Sequence, residues 1–134
     1  MSIVVGFLPT PEGMAALDAA RREASARSAQ LVIVNVAFPR HGLHHQEQEE
    51  ANNAALEKLE AELRSAGTSY QLVHPVGDYD PAEEILKAAE GSGVELIVLG
   101  LRRRTPVGKM LLGSTAQRVL LQSDCPVLAV KAND

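Results

Sequence analysis

The sequence is poor in cysteine and in aromatic side chains. Its 134 residues hold one cysteine, Cys125, which excludes an internal disulfide. There is no tryptophan, and two tyrosines and two phenylalanines make up the 3% aromatic content. So few rings exclude the stacking platforms on which single-stranded nucleic acids are held. Long apolar runs are missing too. Nothing approaches the ~18 consecutive apolar residues of a membrane span, and Ile3-Val4-Val5 is far too short for the apolar core of a secretory signal. The expectation is a cytoplasmic chain, where thiols stay reduced, with no membrane partner. Positive charge is in the minority: 13 Lys and Arg against 17 Asp and Glu leave a net charge of −4. The molecule as a whole therefore repels nucleic acid and anionic lipid.

What remains is an ordinary globular balance, 46% hydrophobic and 22% charged, in a length that fits one domain over residues 1–134. Ile3 to Phe7, Leu31 to Val36, Leu96 to Leu99 and Val127 to Val130 are short runs rich in β-branched residues. Continuous rather than alternating apolarity marks strands buried on both faces, as in parallel sheets. The weaker run Tyr70 to Val73 reads as a fifth strand near an edge.

Helical signals separate these runs. Thr10-Pro11-Glu12 supplies an N-cap, a proline at the first helical position and an early acid for a helix to about Arg27. Leu56, Leu59 and Leu63 share one face of a helix from roughly Glu47 to Ala66, closed by Gly67. Asp80-Pro81-Ala82-Glu83 repeats the cap signature, and Ser114-Thr115-Ala116-Gln117 has the form of a capping box. The alternation predicts an α/β fold, a doubly wound five-stranded parallel sheet with helices on both faces. Between the second strand and second helix, Pro39 to Asn53 reads as the least ordered part. Its His41, His44 and His45 lack the partners and spacing of a metal site, and a solvated loop is the stronger reading.

Such sheets bind ligands beyond the carboxyl ends of their strands. Beyond Leu99 lies Gly100, then Arg102, Arg103, Arg104 and Lys109, with Arg118 further on and no acid among them. Gly113-Ser114-Thr115 then opens a helix, whose free N–H donors and dipole favour an anion. Gly100 is the position at which the backbone is expected to leave the strand and approach a ligand without a Cβ. Each feature alone has a plain structural role; their combination points to an anion site.

These residues carry a resemblance. Over nearly its whole length the chain resembles the universal stress protein family. It does so in the opening strand and capped helix, in the block Val76-Gly77-Asp78 to Leu86, in Glu95 to Gly100, and in the closing Cys125-Pro126-Val127-Leu128-Ala129-Val130. In the ATP-binding branch of that family the phosphate loop reads G-x2-G-x9-G-[ST]. Gly100 matches its first glycine and Gly113-Ser114 its closing pair, at the correct separation. The resemblance implies the Rossmann-like strand order 3-2-1-4-5 and binding of an adenine nucleotide, ATP or AMP, at the loop Gly100 to Thr115. The residues it assigns to the nucleotide are Phe7, Leu8, Val36, Gly100, Arg102, Arg103, Gly113, Ser114 and Thr115. Val36 matches a position whose backbone faces adenine.

The chain departs from the family at two of these. Leu8 stands where many members carry an aspartate, and Arg103 where the second loop glycine belongs. Arg103 has two roles open to it, obstruction of the loop or bidentate binding of phosphate. Asp78 is the one loose candidate for a nucleotide-borne Mg2+, and no metal-ligand set is evident. No nucleophile–base pair or carboxylate pair can be placed near Gly100, so a sensor or regulator is expected rather than an enzyme. The alternative is a dimeric stress module that binds no nucleotide and acts through protein contacts. In either reading the apolar strand Val127 to Val130, unprotected until Lys131, predicts a homodimer through that edge.

Overall fold

The structure is a computed structural model that describes residues 1–36, 45–91, 93–104 and 109–132. At His45, Arg103, Arg104, Lys109, Met110 and Leu111 it describes the backbone. In chain order the elements are β1 (Ser2–Phe7), α1 (Pro11–Arg27), β2 (Gln30–Asn35), α2 (His45–Ser65), β3 (Tyr70–Val73), α3 (Pro81–Ala88), β4 (Val94–Arg104), β5 (Lys109–Leu111), α4 (Ser114–Gln122) and β6 (Val127–Lys131). The parallel sheet runs β3-β2-β1-β4-β6, which is the expected order with β6 as its fifth strand. Strand order reverses between β1 and β4, because the chain builds outward from β1 through β2 and β3 and then returns to β1's other side.

Alternate residues of the buried strands serve the two faces. Ile3, Val5, Phe7, Leu31, Ile33, Leu96 and Val98 pack with Ala16, Leu17 and Ala20 of α1 and Leu56, Leu59 and Leu63 of α2. Val4, Val32, Val34, Ile97 and Leu99 pack on the other face with Ala82 and Ile85 of α3 and Ala116 and Val119 of α4. Apolar continuity along β1 and β2 thus reflects helices on both sides of the sheet. Thr10 caps α1 by accepting from the Gly13 N–H at 3.1 Å, and Asp80 caps α3 by accepting from the Ala82 N–H at 3.0 Å. Gly67, at φ +69°, closes α2 in the left-handed region that glycine enters without strain.

Three local expectations are corrected. α2 starts at His45, two residues before the expected Glu47, so the part of the stretch read as least ordered from residue 45 on is helical, and Asn52 there is buried; Pro39 to His44, with His41 and His44, lies outside the described residues. The capping box at Ser114 does not form. Gly113 is the N-cap of α4, at φ −68° and ψ 166°, and has no side chain to cap with. Ser114 is already helical, and Gln117 Nε2 donates instead to the Leu112 carbonyl at 3.1 Å. Finally, the stretch after Gly100 is not all loop. β4 continues to Arg104 and pairs antiparallel with β5, placing Arg102 opposite Leu111 and Arg103 opposite Met110.

Candidate functional site

A cleft of about 140 Å3 opens at the carboxyl ends of β1 and β4, where strand order reverses. Gly6 and Leu8 bring the end of β1 to it, and Val36 the end of β2. Leu99, Gly100 and Arg102 come from β4, Thr10, Glu12 and Gly13 from the start of α1, Ile85 from α3, and Gly113, Thr115 and Ala116 from the start of α4. Its apolar lining comes from Leu8, Val36, Ile85, Leu99 and Ala116. The same cleft is lined by the uncapped first turn of α4, whose leading N–H groups lack intrahelical partners.

Of the nine residues assigned from the sequence, six line this cleft: Leu8, Val36, Gly100, Arg102, Gly113 and Thr115. Phe7 stands behind it. Its side chain is in the core, and its carbonyl accepts from the Val36 N–H at 3.1 Å and from Asn35 Nδ2 at 3.3 Å. That bond occupies the Val36 N–H, and Val36 itself is half-buried, packed against the core and lining the cleft. Ser114 is exposed beside the cleft without lining it. The Arg103 backbone lies in the β4–β5 ladder, and its side chain falls outside the described residues. Asp78 is exposed and does not line the cleft.

The glycine at 100 has a packing duty besides its place in the lining of the cleft. A Cβ built there would lie 2.1 Å from the Glu12 carbonyl oxygen, so the first turn of α1 lies directly on β4. The close approach at Gly100 is made by the protein's own helix. Gly13 repeats the arrangement, its would-be Cβ 1.8 Å from the Leu8 carbonyl oxygen. At Gly113, among the described residues, nothing lies within 4 Å of such a Cβ.

Charge is also redistributed relative to the sequence. Arg118, counted with the basic stretch, turns away to bridge α4 and α3. It pairs with Asp80 and donates from Nη2 to Glu83 Oε1 at 3.0 Å. The hydrogen bond to Glu83 and the nearby Asp80 charge raise its pKa further above the ordinary arginine value. Arg102 stays at the cleft, with its Nε 3.6 Å from Glu12 Oε1. Asn35 and Asn52 form a buried reciprocal amide pair, at 3.0 and 2.9 Å, that ties α2 to the end of β2. Glu12, Ile85 and the Asn pair were not singled out as site residues. The α1 cap signature placed Glu12 in a first turn, but nothing local in the sequence says which strand that turn rests on.

An α/β domain of this winding, with its cleft at the switch point, is of the Rossmann-like class. The chain belongs to the universal stress protein family, whose family model matches residues 1–131. It is 40% identical over 129 residues to a universal stress protein of Mycolicibacterium smegmatis, covering 96% of each chain. The fold matches a universal stress protein structure from Archaeoglobus fulgidus with a TM-score of 0.73 at 25% identity, covering 98% of each chain. It also matches a universal stress protein in complex with cAMP, with a TM-score of 0.69 at 25% identity over 99% of this chain and 98% of that one.

Proposed function

We propose that this protein is a single-domain stress-response protein that binds an adenine nucleotide, ATP or AMP, in the β1/β4 cleft and acts as sensor or regulator rather than catalyst. The observation that carries the reading is the mixed lining of the cleft. Apolar side chains of Leu8, Val36, Ile85 and Leu99 suit a flat base, and the uncapped α4 start at Gly113 suits a phosphate. The relative solved with cAMP supports an adenine ligand. Phe7 and Ser114 support the site from behind and beside it, and Arg103 belongs to it on the strength of the loop motif. A nucleotide-borne Mg2+ would come with the ligand. Among the described residues, no three His, Cys, Asp or Glu side chains converge to hold a metal of the protein's own. No described helix is long and apolar enough to cross a membrane, in keeping with the proposed cytoplasmic location.

Isothermal titration of nucleotide-free protein with ATP and AMP tests this. Saturable binding at one site per chain is expected, and no heat at millimolar ligand rejects it. A second reading, a dimeric module without nucleotide, is favoured by Leu8 in place of the family aspartate and by the Arg102–Glu12 pairing. Nucleotide co-purifying with the protein decides between the two.

Both readings include a homodimer through β6. That strand pairs with β4 on one side, and no other described strand pairs with it. Leu128 is 36% exposed and Leu121 of the neighbouring α4 84% exposed. An unprotected edge bearing exposed leucines is the surface a second copy would cover antiparallel.

A further inference from the structure

Glu12 is the one carboxylate among the described residues that line the cleft. It is the second residue of α1, its side chain is 21% exposed, and it lines the cleft with Gly100, Arg102 and Gly113. Its backbone packs directly on β4: the position of a Gly100 Cβ lies 2.1 Å from the Glu12 carbonyl oxygen and 3.0 Å from its Cβ. The first turn of α1 therefore sets Glu12 against β4 with no side chain of residue 100 between them. Its carboxylate is engaged with Arg102, Oε1 to Nε at 3.6 Å. Arg102 is 59% exposed and swings on a long side chain, whereas Glu12 is the more enclosed partner.

We propose that Glu12 sets the phosphate selectivity of the cleft. The inference rests on the adenine-nucleotide reading and deepens it. A phosphate entering beside Gly113 has to draw Arg102 from Glu12 and then lie near that carboxylate. The first cost is met only by a ligand that bears phosphate, the second grows with the charge of the phosphate chain, and neither touches the base or the ribose. The cleft accordingly favours adenosine and AMP relative to ATP more than one without this carboxylate would. Arg102 alternates between Glu12 and ligand phosphate.

The test is calorimetric titration of the full-length protein and of Glu12→Gln with adenosine, AMP and ATP at low salt. Glutamine keeps the size of the side chain and removes its charge. The expected result is ATP binding strengthened about fivefold, AMP about twofold, and adenosine unchanged, magnitudes of the order carried by a part-exposed charge pair. Glu12→Asp, which keeps the charge, should retain the wild-type preference, and 0.5 M salt should narrow the difference between wild type and Glu12→Gln. Equal ATP affinity in wild type and Glu12→Gln overturns the inference alone. A common change for all three ligands also overturns it, because the effect is then not one of charge. Failure of all three ligands to bind either protein overturns the nucleotide reading, and the inference with it.

Discussion

Gly100→Ala separates packing from ligand binding at the first glycine of the motif. The added methyl carbon would sit 2.1 Å from the Glu12 carbonyl oxygen and 2.6 Å from its carbonyl carbon, both backbone atoms. Relief requires a shift of the α1 N-terminus, whose following turn is itself pinned by the contact of Gly13 with Leu8. Overpacking of this kind costs about 1–3 kcal/mol, and backbone-on-backbone contact belongs at the upper end. Alanine's better strand propensity returns only a few tenths. With about 2.1 cal/mol/K per residue, the unfolding entropy of 134 residues makes 1 kcal/mol worth roughly 3.5 °C. Gly100→Ala should therefore melt about 7–10 °C lower without any nucleotide present. Gly113→Ala is the control. Among the described residues its Cβ meets nothing within 4 Å, and φ is −68°, so its Tm should stay within about 2 °C. Differential scanning calorimetry of the three proteins reads both. An unchanged Tm for Gly100→Ala, with only nucleotide binding lost, would refute the packing role and restore the ligand-approach role expected from the sequence.

Three other outcomes follow from the same contacts. Asn52→Leu strips the fully buried Asn35 of its amide partner, and urea unfolding should show a loss of about 2–3 kcal/mol; the Asn35→Leu/Asn52→Leu double variant should recover part of it. An additive double variant would mean that the two amides are not coupled. Arg103→Ala should weaken ATP about tenfold or more and leave adenosine unaffected if the side chain pairs with phosphate, whereas tighter ATP binding by Arg103→Gly would identify it as an obstruction. Ala129→Pro removes a backbone donor on the side of β6 away from β4, and sedimentation equilibrium should shift from dimer to monomer; wild-type protein that sediments only as a ~14 kDa species at micromolar concentration contradicts the dimer.

The elements that local chemistry specifies were legible in the sequence. Ile3 to Phe7 and Leu31 to Asn35 are buried on both faces and read so, because no polar residue interrupts them until Asn35. Thr10 and Asp80 cap as their positions suggest, each making its bond within three residues along the chain. The misreadings share a different cause. Gly113 rather than Ser114 caps α4, and the three-residue β5 has no alternation to announce it. Arg118 is drawn to Asp80 and Glu83, and two contacts that went unread, Gly100 with Glu12 and Asn35 with Asn52 across 17 residues, likewise join separate elements. In each the partner is chosen by tertiary approach. The switch-point location of the cleft was legible because winding alone sets it; its charge balance was not, because Arg118 leaves it and Glu12 enters it.

The most direct test of nucleotide binding in this cleft is a titration of 15N-labelled protein with ATP, followed by amide chemical shifts. The account predicts saturable shifts concentrated at Leu8, Val36, Gly100, Gly113, Ser114 and Thr115, with the amides of Ser28, Gly67 and Thr68 at the far end of the sheet unmoved. No shifts at millimolar ATP, or shifts centred away from the carboxyl ends of β1 and β4, would contradict it.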